Sequence, residues 1–314
     1  MKAMVYHKYG SPDELKLEEV TKPTPKDDEV LVKIKASSIN RADLYMLKGS
    51  PFVIRLENGF TPKKKILGAD IAGQVEAVGK NVKEFKVGDE VFGDISANGW
   101  GGFAEYVSVK ENALVAKPTN ITFEEAAAVP MASVTALQGL QDKGQIQPNQ
   151  KVLIYGASGG VGTWAVQISK SFGTHVTAVC STRNVEMIRS LGANEVIDYT
   201  KEDFSENGKR YDLILAANGN LPLAKYKNAL TSNGIYVCTG GSLKQIFSSL
   251  IFGSKQVKNL SSKPKKKDLL FVQELLANRK IKSVIDKTFP LIELADAFRY
   301  FESGKVKGKV VISH

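Results

Sequence analysis

The sequence predicts an α/β protein in which a doubly wound parallel sheet is joined to an antiparallel, barrel-like domain. Three observations lead there. The first 120 residues read as short strands punctuated by glycine. From about residue 122 helix and strand alternate, with strand cores at Val152, Val176, Val196, Leu213, Ile235 and Val257. These lie roughly 16 to 24 residues apart, which leaves room for a crossover helix between parallel strands. Finally, the apolar run at residues 152–155 ends in a glycine-rich turn that opens a periodic helix. A chain of 314 residues with 43% apolar and 24% charged residues has ordinary globular composition and is long enough for two domains.

The elements follow in order. Residues 29–36 (EVLVKIKA) alternate apolar and polar, as do parts of 71–78, 90–92 and 103–109, so these are predicted strands. Residues 41–47 form a predicted helix with Asn40 as its cap. Between Gly49 and Leu67 a long segment carries Phe52, Val53, Ile54, Leu56 and Phe60 and ends in three lysines; it reads as a lip over a substrate. Val161, Ala165, Ile168 and Phe172 share one face of the helix after the glycine turn. Residues 185–191 form a helix stopped by Gly192, residues 222–230 one started by Pro222, and residues 268–277 a third. Residues 283–289 and 309–313 are strand-like. Residues 240–253 are strongly apolar and suit a pocket lining or a subunit contact.

Composition excludes several functions. The net charge of +10 is dispersed except at Lys63 to Lys65 and at Lys263 and Lys265 to Lys267, and no basic stripe is interleaved with aromatics, so a nucleic-acid partner is not expected. Both lysine clusters read as solvated loops, with attraction of an anionic cofactor as the alternative. No run of eighteen apolar residues occurs and the N-terminus lacks a signal-like core, so a soluble, cytoplasmic chain with no membrane partner is expected. Cys180 and Cys238 sit in apolar strand-like runs and read as free buried thiols in a reducing compartment.

Residues 151–162 (KVLIYGASGGVG) carry the chemistry. A strand, the turn Ala157-x-Gly159-x-x-Gly162 and a helix come in the order that holds a dinucleotide pyrophosphate: glycine at 159 admits phosphate close to backbone, and glycine at 162 allows tight helix packing. Ala157, Ser158, Gly159, Gly160, Val161 and Gly162 are the candidate cradle. The alternative is a helix-starting turn that binds nothing. A site for NAD would place an acid about twenty residues further on. No carboxylate occurs from His175 to Val185; Ser181 and Arg183 stand there instead and suit a 2′-phosphate, so NADPH is the expected cofactor, with an unliganded surface arginine as the alternative.

With these parts in place, the chain resembles the zinc-free quinone oxidoreductase branch of the medium-chain dehydrogenase/reductase superfamily. Its landmarks are Ser37-Ser38-Ile39-Asn40-Arg41-Ala42-Asp43, Leu67-Gly68-Ala69-Asp70-Ile71-Ala72-Gly73, Val87-Gly88-Asp89-Glu90-Val91, Gly101-Gly102-Phe103-Ala104-Glu105-Tyr106 and Gly308-Lys309-Val310-Val311. The resemblance implies a GroES-like catalytic domain at residues 1–120, a Rossmann NADP-binding domain at 121–265, a return to the catalytic domain at 266–314, and an active site in the cleft between them. Zinc-dependent relatives carry a cysteine where this chain has Asn40, a His-Glu pair where it has Ala69 and Asp70, and another cysteine near Met131 to Ser133. Without that Lewis acid, hydride transfer to a quinone or an α,β-unsaturated carbonyl is the implied activity. An enoyl-thioester reductase and a catalytically idle NADPH-binding or RNA-binding protein are the alternatives.

The resemblance also distributes roles. Asn40 and Tyr45 would hydrogen-bond the carbonyl oxygen that gains charge, and Tyr45 or solvent would deliver the proton; a helix cap and a packed aromatic are the plainer readings. Asp43 reads as structural. Thr135 would lie near the nicotinamide, with a helix threonine bonding back to its own turn as the plainer reading, and Tyr199 at the 2′-phosphate, with a surface aromatic as the alternative. From position alone, Gly240 and Gly241 follow the strand at residues 235–238, where the absence of side chains would admit the flat ring, and Lys309 in the last strand could reach the cofactor or be solvated. A homodimer and a monomer both remain open.

Overall fold

The alternation at residues 29–38 produces the central strand of the first sheet. In this computed structural model, which describes residues 1–240 and 256–314, β1 (Lys2–Val5) and β2 (Lys16–Glu19) form an antiparallel pair ahead of β3 (Glu29–Ser38). Val30, Val32 and Ile34 of β3 are buried. After β3 come helices α1 (Arg41–Lys48) and α2 (Val53–Asn58), then β4 (Asp70–Val78), β5 (Glu90–Asp94), β6 (Tyr106–Lys110) and β7 (Leu114–Ala116). Strand β6 starts later than the predicted residue 103. The backbone of Phe103 bonds elsewhere, donating to Leu67 O at 2.9 Å and accepting from Met4 N at 2.9 Å.

Helix α3 (Phe123–Ala127) is fixed by a reciprocal cap: Glu125 N–H donates to Thr122 Oγ1 at 3.2 Å and Thr122 N–H to Glu125 Oε2 at 2.8 Å. It packs on β3 and β4. The first compact unit therefore runs on to Met131, past the change of texture near residue 120, and comprises Met1–Met131, Pro264–Ala277 and Lys282–His314. The second comprises Ala132–Lys263 and Asn278–Ile281.

Helix α4 (Pro130–Gln138) leads into the second unit. There β8 (Lys151–Tyr155), α5 (Gly160–Ser171), β9 (His175–Cys180), α6 (Val185–Ser190), β10 (Glu195–Asp198), β11 (Tyr211–Ala216), α7 (Leu223–Asn228), β12 (Leu230–Cys238) and β13 (Val257–Asn259) follow. The six strands stand in the order β10-β9-β8-β11-β12-β13 and every neighbouring pair is parallel. Order reverses beside β8, the switch point at which such sheets bind ligands beyond their carboxyl ends. Trp164 of α5 is 1% exposed, and a side chain of this size so buried stabilises by about 3 kcal/mol.

The chain then returns through α8 (Lys266–Ala277), β14 (Ile285–Pro290), α9 (Leu294–Glu302) and β15 (Lys309–Ser313) to the first sheet, whose order is β14-β15-β3-β4-β5-β7. One edge of β3 is shared: β6 pairs with residues 29–33 and β15 with residues 36–38, both antiparallel. Helix α9 has no counterpart among the predicted elements. Its Leu294, Ala297 and Phe298 join Met4, Leu44, Leu47 and Phe103 in one core cluster, where Phe298 meets Phe103 edge-on at 5.9 Å.

Candidate functional site

In the second unit the strand ends gather one set of candidates. The turn after β8 is left-handed at Gly156 (φ +76°), a conformation that glycine adopts without steric cost. Ala157 is buried and donates its N–H to Val179 O at 3.1 Å. The two following glycines differ physically. A Cβ on Gly162 would meet Gly156 O at 2.2 Å, whereas one on Gly159 would meet nothing closer than Gly156 O at 3.7 Å. Gly162 is thus required by packing, and Gly159 leaves a space. Helix α5 starts there with Gly159 as cap and no side-chain cap bond, so Ser158, Gly159, Gly160 and Val161 border an N-terminus whose positive end suits a pyrophosphate.

At the ends of the adjoining strands, Asp198 of β10 pairs with Cys180 of β9. Ser181 and Arg183 follow β9, Tyr199 follows β10, and Tyr199 N–H donates to Cys180 O at 3.1 Å. These three residues are therefore brought together. Arg183 is exposed, Tyr199 is 57% exposed, and Ser181 Oγ accepts from Asn184 Nδ2 at 3.2 Å. Asp198, missed because it lies on the third strand rather than at the end of the second, stands at the same place. Its oxygens accept from Thr182 Oγ1 at 2.5 Å, Thr200 N at 3.0 Å and Thr200 Oγ1 at 2.7 Å. The Thr182 bond, with those of Thr200, holds its carboxyl below the usual range despite some desolvation.

Two further candidates lie at the same end of the sheet. Gly139, directly after α4, packs where a Cβ would meet Leu215 and Thr239, at the ends of β11 and β12. Thr135 is one turn earlier on that helical face and is buried. Gly240 O accepts from Gly219 N at 2.6 Å, joining the loops after β11 and β12. Gly241 and the remainder of the apolar segment as far as residue 255 lie outside the described residues.

The first unit holds a buried polar cluster. Asn40 caps α1, but its side chain turns away from the helix: Nδ2 donates to Asp70 Oδ2 at 2.9 Å and Oδ1 accepts from Lys309 Nζ. A carboxylate on one side and an ammonium on the other fix which way the amide points. Lys309 Nζ also donates to Ile39 O at 3.1 Å and lies 3.5 Å from Asp70 Oδ2. Its protons are taken up inside its own unit, so the structure gives it a task other than the cofactor contact or solvation expected of it. Asp70 accepts in addition from Ser38 Oγ at 3.2 Å and Met131 N at 2.9 Å.

The register explains the convergence: β4 sets Asp70 opposite Ser38 of β3 and Asp94 of β5, while β15 sets Val311 opposite Ser38. Asp43 accepts from Asn40 N at 2.7 Å and Gly68 N at 3.1 Å, which ties the helix start to the next strand and makes it structural. One ammonium faces three buried carboxyls. Burial pushes Asp43 up to about 7, and burial followed by the neighbouring Asp70 pushes Asp94 up to about 7. Burial also raises Asp70 and lowers Lys309, each opposed by the other's charge. Tyr45, on α1, is 39% exposed and so is open to a ligand.

Against known proteins, the family model described as "Alcohol dehydrogenase GroES-like domain" matches residues 26–119, and "Zinc-binding dehydrogenase" matches residues 191–312. The chain is 37% identical to the chloroplastic quinone-oxidoreductase homolog of Spinacia oleracea, covering 99% of this chain and 98% of that one. It is 33% identical to the chloroplastic NADPH-dependent alkenal/one oxidoreductase of Arabidopsis thaliana, covering 99% and 79%. Among solved structures, the quinone oxidoreductase from Coxiella burnetii superposes with a TM-score of 0.89 at 29% identity, covering 100% of this chain and 99% of that one.

Proposed function

The chain belongs to the quinone oxidoreductase branch of the medium-chain dehydrogenase/reductase superfamily, and we propose on that premise that it is a zinc-independent reductase that passes a hydride from NADPH to a quinone or an α,β-unsaturated carbonyl. One observation carries the zinc-independent part. The Lys309 ammonium rests on Asn40 Oδ1 and beside Asp70 Oδ2, so the position at which zinc-dependent relatives place their first cysteine ligand is an amide already satisfied by a protein cation. A catalytic zinc asks for about three nitrogen, sulfur or carboxylate ligands at roughly 2 Å. Asn40, Ala69 and Met131 to Ser133 offer no such set, and among the described residues no group of three His, Cys, Asp or Glu is placed to hold a metal.

NADPH supplies the hydride when bound. The protein residues provide the rest. The N–H groups at the start of α5 and the open space at Gly159 take the pyrophosphate, and Ser181, Arg183 and Tyr199 take the 2′-phosphate. Thr135 and Gly240 bound the nicotinamide end. Asn40 gives one Nδ2 hydrogen to Asp70 and keeps the other for the acceptor's carbonyl oxygen, where negative charge grows as hydride arrives. The proton comes from the Tyr45 hydroxyl or from solvent. A cytoplasmic, reducing setting is part of the proposal, supported by two buried free cysteines, with burial pushing the Cys180 thiol up to about 11.

The test is NADPH oxidation against quinones, short enals, long enones and enoyl thioesters, with NADH as control and with a chelator present. Turnover of quinones or enones that survives chelation is expected. Turnover confined to thioesters, loss of activity on chelation, or no turnover combined with steeply salt-dependent RNA binding each overturns the reading.

A further inference from the structure

The segment read from sequence as a substrate lip does not bury its apolar side chains. Phe52, Val53, Leu56 and Phe60 are 59%, 49%, 64% and 75% exposed, so four of the ten large apolar side chains that stand exposed among the described residues fall within nine positions. Phe52 and Phe60 lie side by side, with ring centroids 6.3 Å apart. The base of the segment is held firmly. Ile54 and Tyr9 both pack on the core of the first unit, Arg55 Nε donates to Gly49 O at 3.0 Å, and Tyr9 Oη donates to Gly59 O at 2.9 Å. An ordered segment that keeps four apolar side chains in water is a contact surface awaiting an occupant.

Charge selects the occupant. Between Gly49 and Leu67 there are four cations, Arg55, Lys63, Lys64 and Lys65, and a single acid, Glu57. Lys63 lies against the tip, where a Cβ on Gly59 would meet its Cε at 3.3 Å. A second copy of the chain, meeting this patch with its own, would set like charges together. An open cluster in which Phe52, Leu56 and Phe60 are each more than half exposed does not line a groove for a partner helix; it suits a soft surface that takes apolar side chains below and cations at its boundary.

We propose that this tip docks the protein on an anionic lipid bilayer, Phe52, Leu56 and Phe60 entering the interface while Lys63, Lys64 and Lys65 meet the headgroups. No helix among the described residues is long and apolar enough to cross a membrane, so the contact is peripheral. It departs from the sequence expectation that no membrane is a partner, and it does not rest on the redox reading.

The test is co-sedimentation of the full chain with vesicles of phosphatidylcholine alone or with about a third phosphatidylglycerol, at low and high salt. Binding only to the anionic vesicles and release by salt are expected. The triple substitution Phe52→Ser, Leu56→Ser, Phe60→Ser and the separate triple Lys63→Glu, Lys64→Glu, Lys65→Glu should each weaken it at least about tenfold. The single Phe60→Ser, whose side chain is the most exposed of the four, gives a partial loss with the fold retained. No binding to either vesicle overturns the proposal, as does binding unchanged in the variants. A concentration-dependent oligomer that ignores vesicles and is dissolved by Phe60→Ser overturns it in favour of a second copy.

Discussion

Arg183 and Asp94 show opposite relations between sequence and site. Arg183 could be proposed for the 2′-phosphate from neighbours in sequence alone: a strand, no acid directly after that strand, and a forked cation there. Replacing it by glutamate puts an anion where the 2′-phosphate would lie; NADPH affinity should fall roughly 10- to 100-fold while NADH affinity changes little, as measured by fluorescence titration of both cofactors. Equal losses would remove Arg183 from the site. Asp94 was illegible because its neighbours, Asp70 and Lys309, come from other strands, and nothing in EVFGD says that the aspartate is inside. Its carboxyl is raised to about 7 from an ordinary 3.8, so the folded chain binds that proton more tightly than the unfolded chain. The resulting stabilisation is complete below about pH 4 and is lost as pH rises through 7. Asp94→Asn should flatten this part of the pH dependence of the thermal midpoint between pH 4 and 8; an unchanged slope would show that Asp94 is not its source.

At the scale of elements, hydrophobic period and turn chemistry located α5, β8 and β15 to within a residue or two of their ends, because each is set by local pattern. Helix α9 was missed although Leu294, Ala297 and Phe298 recur at helical spacing and share one face, which joins Phe103 and the β15 residues Val310 and Ile312 in one core cluster. The glycine turn lies between β8 and α5 as the pattern predicted; a sequence shows which positions lack a side chain, not which has positive φ, and the left-handed residue is Gly156. The turn also separates two effects that the motif merges. Gly162→Ala should cost stability by about 1–3 kcal/mol, seen as a lower thermal midpoint, because its Cβ meets backbone at 2.2 Å. Gly159→Ala should leave the midpoint in place and weaken NADPH binding, since its Cβ fills only the cradle. A matching loss of stability in both variants would deny Gly159 that role.

For the whole molecule, the division into two units was visible as a change of texture, but its position was not, because α3 belongs by packing to the strands that precede it. The last strand of the chain, β15, lies against β3, one of the first to be made. All six parallel strands fall in the continuous stretch 151–259, so they leave the ribosome together and the second sheet can close while the first is still incomplete. Until residue 309 emerges, residues 36–38 of β3 present an open edge to other chains, and Asp70 lacks its ammonium. The unit that holds the polar cluster is thus the last to mature during synthesis, and a chain stalled before β15 would display a finished parallel sheet beside an unfinished one.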